Sequence, residues 1–370
     1  MSKRVPLAIA AVALALTLAA CSTPAPPKAV ASAGGLEGTL VAQGVSEANA
    51  KAMAKLYTKA LAGEKTIHFY GISALPLRET FDAFEETFPE LKVVGTQLNS
   101  PDTITRVTAE QSSGQVAAGV VNGTSNVISA LDENKFVTGY KPLAASNLSK
   151  AGVDAAGYYA NVVSPYGAVY NNSLKKDEAP KAWTDIINSR FDGQVTAVDP
   201  TIVGVMSTAL IYLSDGGVLD EAALKRLAAL DPKFYPDTSS AINAVGSGER
   251  EVMFAQSYSV FKVQQAAGNL PIKFAFPMSD GNVVQQFFLA IPKKVTNKSA
   301  SQLLIDYLFT PHAQQLSKKQ GYIPTLKAQP AGDLFPAIDD IPNPLGGPSI
   351  ESNAAGLKKW VPVFAKVFKD

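Results

Sequence analysis

Short β-branched and aromatic runs alternate along this chain with stretches whose apolar residues recur every three or four positions, the pattern of an α/β protein. The clearest unit is residues 65–88, KTIHFYGISALPLRETFDAFEETF. Residues 66–70 read as a buried strand, Gly71 permits a turn, and Ser73 stands where it can cap a helix. In that helix Leu77, Phe81, Phe84 and Phe88 share one face, with Arg78, Glu79, Asp82 and Glu85 on others. A strand that feeds a helix leaves free N–H groups and a partial positive charge at its carboxyl end. Open α/β sheets bind ligands along that edge, so residues 71–75 are expected to form one wall of a small-molecule cleft.

The alternation continues on both sides. Residues 46–61 read as an amphipathic helix capped by Ser46, 91–98 as a strand, 102–112 as a helix and 116–121 as a strand. That strand ends at Asn122-Gly123-Thr124-Ser125-Asn126 before a helix over 127–134, which puts the Thr124 and Ser125 hydroxyls in the same topological place as Ser73. Residues 162–170 and 283–291 are long apolar extended runs, although Pro165 argues against a continuous regular strand in the first. Between them lie a strand at 194–198, the loop Asp199-Pro200-Thr201, helices over 205–213 and 220–230, and Thr238-Ser239-Ser240 capping a helix that runs through 245. A strand at 252–255 follows, then a helix over 260–267 capped by Ser257 and ended by Gly268, and a strand at 272–276. Helices at 300–309 and 312–319 and a last helix around 357–367 complete the chain, without an internal repeat.

The first residues set the compartment. Lys3 and Arg4 precede an apolar run over 5–19 that is shorter than the roughly 20 residues needed to span a bilayer, so residues 1–20 read as a secretory signal. Cys21 is the only cysteine and has no internal disulfide partner. Leu18-Ala19-Ala20-Cys21 resembles the bacterial lipobox, which implies a Cys21 carrying acyl chains such as palmitate. The protein would then be held on the outer face of the cell membrane, or on the periplasmic side in a double-membraned host. Residues 21–45 are assigned to this anchor and a flexible tether, because 22–38 is rich in Pro, Ala, Ser and Gly.

Composition narrows the chemistry. Lys+Arg 33 against Asp+Glu 32, with no block of like charge, leaves no electrostatic footprint for nucleic acid. The two histidines, His68 in a strand and His312 in a helix, have no acid or thiol at ligand spacing, and no metal or other cofactor is expected. Ser173-Leu174-Lys175-Lys176 and Ser259-Val260-Phe261-Lys262 both fit the S-x-x-K pattern of a serine-type enzyme, but neither has a K-T-G companion. No catalytic residue is assigned.

From about Tyr57 the order of motifs resembles the extracellular solute-binding proteins of ABC importers, in the branch that includes ferric-iron- and phosphonate-binding members. The residues concerned include Val169-Tyr170-Asn171-Asn172, Ala179-Pro180-Lys181-Ala182-Trp183, Ala197-Val198-Asp199-Pro200, Ala228-Ala229-Leu230-Asp231-Pro232-Lys233, Ala244-Val245-Gly246-Ser247-Gly248-Glu249, Ala290-Ile291-Pro292-Lys293 and Gly321-Tyr322-Ile323-Pro324-Thr325. The resemblance implies a type 2 periplasmic-binding-protein fold, with two α/β lobes joined by the crossings 162–170 and 283–291. Lobe one would be 64–163 plus 288–370 and lobe two 164–287. A monomer would trap a small solute between them by hinge closure and pass it to a permease and its ATPase.

Ferric-iron members hold the metal with a histidine after strand one, an acid after strand three and paired tyrosines at a helix start. Here those places carry Ser73-Ala74, Thr124-Ser125 and Ser257-Tyr258-Ser259, a poor set for a hard cation, although an iron complex bringing its own ligands is an alternative. Ser73, Thr124, Ser125, Thr201, Ser239, Ser240 and Tyr258 instead offer hydroxyls beside helix N-termini. These suit a phosphonate, phosphate ester, sulfonate or carboxylate, and each Ser or Thr also fits a simple capping role. Asp199 and Tyr166 are further candidates for contact with a ligand amine or sugar hydroxyl; their other roles are a loop cap and hinge packing.

Overall fold

The computed structural model describes residues 35–154, 156–202, 204–327, 335–346 and 350–369, so the signal segment, Cys21 and the tether up to residue 34 lie outside the described residues. Residues 35–45, expected in the tether, instead form helix α1 (Gly35–Ala42) and a turn. Eight residues are too few for a stable isolated helix, so packing against the rest of the protein must hold it. Leu40 is fully buried and α1 packs on α2 (Glu47–Ala60) and α3 (Arg78–Thr87).

The strands and helices then follow largely as the pattern predicts. The first half contains β1 (Thr66–Gly71), β2 (Lys92–Gln97), α4 (Ser100–Ser113), β3 (Ala118–Gly123), α5 (Ser125–Glu133), the short β4 (Val137–Thr138) and the long β5 (Tyr159–Asn171). Next come α6 (Trp183–Ile186), β6 (Val195–Val198), α7 (Val205–Asp215), α8 (Glu221–Ala229), β7 (Lys233–Tyr235), α9 (Thr238–Gly246), β8 (Val252–Ser257), α10 (Tyr258–Gly268) and β9 (Ile272–Ala275). The second long strand, β10 (Asn282–Pro292), leads to α11 (Lys298–Leu308), α12 (Pro311–Lys319), β11 (Ile323–Pro324), β12 (Pro344–Leu345) and α13 (Ile350–Lys369). The main sheet order is β2-β1-β3-β10-β5-β8-β6-β7, with β1–β3 parallel to one another and β6–β8 parallel in their own group.

Both long strands belong to two hydrophobic cores. One core gathers Phe69, Phe81, Phe84 and Phe88 with Val162, Phe287 and Tyr307; the other gathers Tyr166, Val169 and Val283 with Trp183, Leu210 and Phe254. Between them β5 and β10 run antiparallel, from Tyr159 opposite Leu289 to Pro165 opposite Val284. Pro165 therefore does not interrupt β5. It sits where the other neighbour of β5 changes, after β11 pairs with Val162 and Val163 and before β8 begins at Tyr166, so no ladder bond needs its missing N–H.

Helix α13, expected with the first lobe, packs on α5 there and also on α7 and α8. Phe364 is fully buried in the second core, Phe368 meets Phe234 edge-on at 5.6 Å, and Asp215 accepts from Trp360 Nε1 and Lys359 Nζ. Removing a fully buried phenylalanine deletes its transfer energy and leaves a cavity. Phe364→Ala is expected to lower stability by about 3–5 kcal/mol in urea unfolding; a loss below about 1 kcal/mol would show that α13 is only loosely seated.

Asp306 in α11 is buried, accepting from Tyr140 Oη at 2.9 Å and the Leu143 N–H at 2.8 Å, and thereby ties the 140–143 loop to the first core. Burial outweighs these two bonds and pushes its carboxyl up to about 6. Between the unfolded value near 4 and that figure, the folded state holds more protons than the unfolded one. The stabilisation is therefore fully present below pH 4 and is lost as pH rises through about 6, on the order of 2–3 kcal/mol in total. Asp306→Asn is expected to remove this slope, so the difference between wild-type and variant unfolding free energies should change between pH 4 and 7. A constant difference would overturn the assignment.

Candidate functional site

The turn after β1 is built by close approach. Gly71 has φ 149°, and a Cβ there would lie 2.0 Å from the Asn122 carbonyl oxygen of β3, so only glycine fits. Asn122 Oδ1 accepts from the Ser73 N–H at 3.3 Å and its Nδ2 donates to Phe288 O at 3.4 Å, joining the turn to β3 and β10. Gln97 clamps the same turn from β2, accepting from the Leu75 N–H at 2.8 Å and donating to Ile72 O at 2.6 Å. Ser73 does not cap the helix: α3 starts only at Arg78, after a turn in which the Leu77 N–H donates to Ser73 O, and no side chain caps it.

Beside this turn lies a cavity of about 410 Å³. Ile72, Leu75 and Pro76 form one wall, and Tyr166 and Phe287 from the two crossing strands also face it. The rest is made by the starts of five helices: Asn99, Ser100 and Pro101 at α4, Thr124 and Asn126 at α5, Gly204, Val205 and Thr208 at α7, Asp237, Thr238 and Ser239 at α9, and Gln256, Ser257 and Val260 at α10. Each helix start contributes roughly half a positive charge and N–H groups without an intrahelical acceptor.

Two of these starts are capped from within the protein: Asn99 Oδ1 accepts from Asp102 N on α4, and Asp237 Oδ1 accepts from Ser240 N on α9. At α7 Ser207 Oγ accepts only from the Gly204 N–H that precedes the helix, and no side chain caps α5, α7 or α10. Beside the starts of α5 and α10 stand two buried carboxamides. Asn126 is 6% exposed and both its amide atoms lack a partner; Gln256 is 1% exposed, its Oε1 accepting from the Ser257 N–H and its Nε2 unpartnered. The cavity thus contains donors left without acceptors at the starts of one helix from each side.

No lysine, arginine or histidine lines the cavity, and Asp237 is its one charged side chain. Hydrogen bonds from the Ser240 N–H and hydroxyl hold that carboxyl below its usual range, so it is ionised and committed to α9. Burial, with Tyr212 and Tyr322 nearby, raises the Tyr166 phenol well above its ordinary range, so it keeps its proton at neutral pH.

Of the residues singled out in the sequence, Thr124, Tyr166 and Ser239 line this cavity. Ser239 Oγ also accepts from Gln264 Nε2, linking α9 to α10. The others lie elsewhere. Ser73 is buried beneath the turn beside the Tyr322 hydroxyl, whose titration burial pushes up to about 12; Ala74 packs in the first core; and Ser125 is buried at the first position of α5. Asp199 Oδ1 accepts from the Thr201 N–H and hydroxyl in a local turn, and Ser240 donates to Asp237. Tyr258 packs among Phe261, Phe274 and Phe335, the last at 4.6 Å. Asn126 and Gln256 are not among the residues singled out in the sequence; Asn126 adjoins Ser125, which is, and Gln256 lies two residues before Tyr258.

Two hydrophobic cores share two long strands, and helix starts beside both surround one cavity. The chain belongs to the bacterial extracellular solute-binding protein family, whose profile matches residues 79–342. Similar solved structures include the substrate binding protein of the ABC transporter from Agrobacterium tumefaciens, at 13% identity and TM-score 0.70 over 83% of this chain and 96% of that one. Iron-bound HitA from Pseudomonas aeruginosa gives 17% and 0.64 over 80% and 99%. The periplasmic binding protein AfuA from Actinobacillus pleuropneumoniae, with fructose-6-phosphate bound, gives 19% and 0.63 over 81% and 99%. At such identities the likeness shows the fold, which is of the type 2 periplasmic-binding-protein kind expected from the sequence. No curated protein sequence matches significantly. No helix among the described residues is long and apolar enough to cross a membrane.

An unpaired buried amide costs about 1–3 kcal/mol. Asn126→Ala is therefore expected to leave the ligand-free protein as stable as before, or up to about 1 kcal/mol more stable, when measured by urea unfolding. A clear loss of stability would mean that Asn126 serves the fold.

Proposed function

We propose that this chain is the substrate-binding component of an ABC importer, taking a small anionic solute into the cavity between its lobes and delivering it to a membrane permease and its ATPase. The observation that carries the ligand class is the pair of uncapped helix starts, α5 and α10, each beside a buried carboxamide with free donor capacity. Donors of this kind recognise an oxyanion. Direct Fe(III) binding is disfavoured by the same lining: it has no histidine or cysteine, its carboxylate caps α9, and Tyr166 stays protonated. No group of three or more His, Cys, Asp or Glu suited to a metal occurs among the described residues.

In this proposal lobe one spans 64–163 plus 288–370 and lobe two spans 164–287, with α13 packed on α5 of the first and burying Phe364 in the core of the second. Cys21 carries the lipid anchor outside the cytoplasm, and the protein transports rather than transforms its ligand.

The test is a thermal-shift panel on the purified protein with phosphonates, phosphate esters, sulfonates, carboxylates, ferric citrate and Fe(III). A solute at 100 times its dissociation constant adds about 2.7 kcal/mol, a readily measured shift. Stabilisation by at least one anion, with the solute recovered unchanged, is expected. Shifts with cations alone would exclude the anion, and consumption of the solute would exclude a purely binding role.

A further inference from the structure

We infer that the solute is a small organic monoacid, with one carboxylate and an apolar body, rather than a polyanion or a metal complex; this rests on reading the cavity as the solute site. Charge is the first ground. Phosphate esters carry nearly two charges, and proteins commonly hold them with arginine or lysine. This cavity has neither, and its one charged side chain is the Asp237 carboxylate, which would repel a second negative charge.

The available donors match a single carboxylate. Gln256 Oε1 is held by the Ser257 N–H and hydroxyl, leaving Nε2 free to donate, while Asn126 offers its own unpartnered amide at the start of α5. With the first-turn N–H groups of α5 and α10, these can serve the two oxygens of a carboxylate from both sides of the cavity.

Apolar side chains, including Val198, Val205, Val263 and Phe287, share the remaining lining with hydroxyls and amides such as Thr208, Thr238 and Gln264. Leu75 and Ile202 line it as well, yet they are 58% and 40% exposed, two of the few large apolar side chains on the described surface. They come from the turns that follow β1 and β6. An apolar ligand body between them would remove both from water, which a sugar phosphate would not do.

The test uses the purified full chain in a thermal-shift and calorimetric comparison of 4-methylpentanoate, phenylacetate and 4-methylpentanamide with fructose 6-phosphate, inorganic phosphate and ferric citrate. The two monocarboxylates are expected to bind at least tenfold more tightly than the amide or any phosphate. Ile202→Ser should weaken them about tenfold, and Asn126→Ala should weaken them likewise while the melting temperature without ligand is kept. Tighter binding of a phosphate or ferric citrate would overturn the monoacid while leaving the solute-binding reading intact. Binding of none of the six would overturn both.

Discussion

Because β5 and β10 each run unbroken from one hydrophobic core into the other, any movement of one half against the other passes through their antiparallel pairing. The local chemistry of these strands reflects that double membership. Their pairing shifts register between Phe287 and Phe288, and β5 exchanges β11 for β8 on its far edge around Pro165. A proline is tolerated there because the second ladder is changing hands. Tyr166 and Phe287, which belong to the shared strands, also line the cavity.

The helix starts follow from this arrangement. Strands β1 and β3 are parallel and point their carboxyl ends the same way, as do β6 and β8, so the helices that follow open toward a common space. Among the described residues no basic side chain lines that space, so its positive partial charges are those of backbone dipoles, set against the Asp237 carboxylate. Such dipoles favour a negative charge without strongly hydrated ammonium groups that are costly to desolvate.

Much of this was legible in the sequence, and the failures have local causes. The periodicity located β1, β3, β6 and α7 closely, because each is a buried run whose neighbours are turn residues. It could not show that a short apolar segment at 35–42 packs on α2, since a helix of that length depends on tertiary contact. Nor could it show that the helix after Ser73 begins only at Arg78, or that Tyr258 stands among three phenylalanines. Hydroxyls were favoured because their chemistry is visible in one letter. The value of Asn126 and Gln256 lies in being buried without partners, a property of the fold and not of the residue type.

Many buried polar groups, among them Asp306, Asn282 and Gln314, find two or more partners each, and Asp220 and Thr310 cap their helices. Others, such as Asn161 and Gln285, hold buried atoms without a partner. What sets α5 and α10 apart is that an uncapped start and an unpartnered carboxamide stand together at the cavity. Filling either position with an apolar residue would be expected to stabilise the empty protein, and a bound solute of the proposed kind would complete those bonds. The same logic applies to Leu75 and Ile202, whose exposure at the cavity is unfavourable until an apolar surface covers them. Unmet donors and uncovered apolar side chains thus meet at one cavity, where a single solute with an acceptor and an apolar face would serve both.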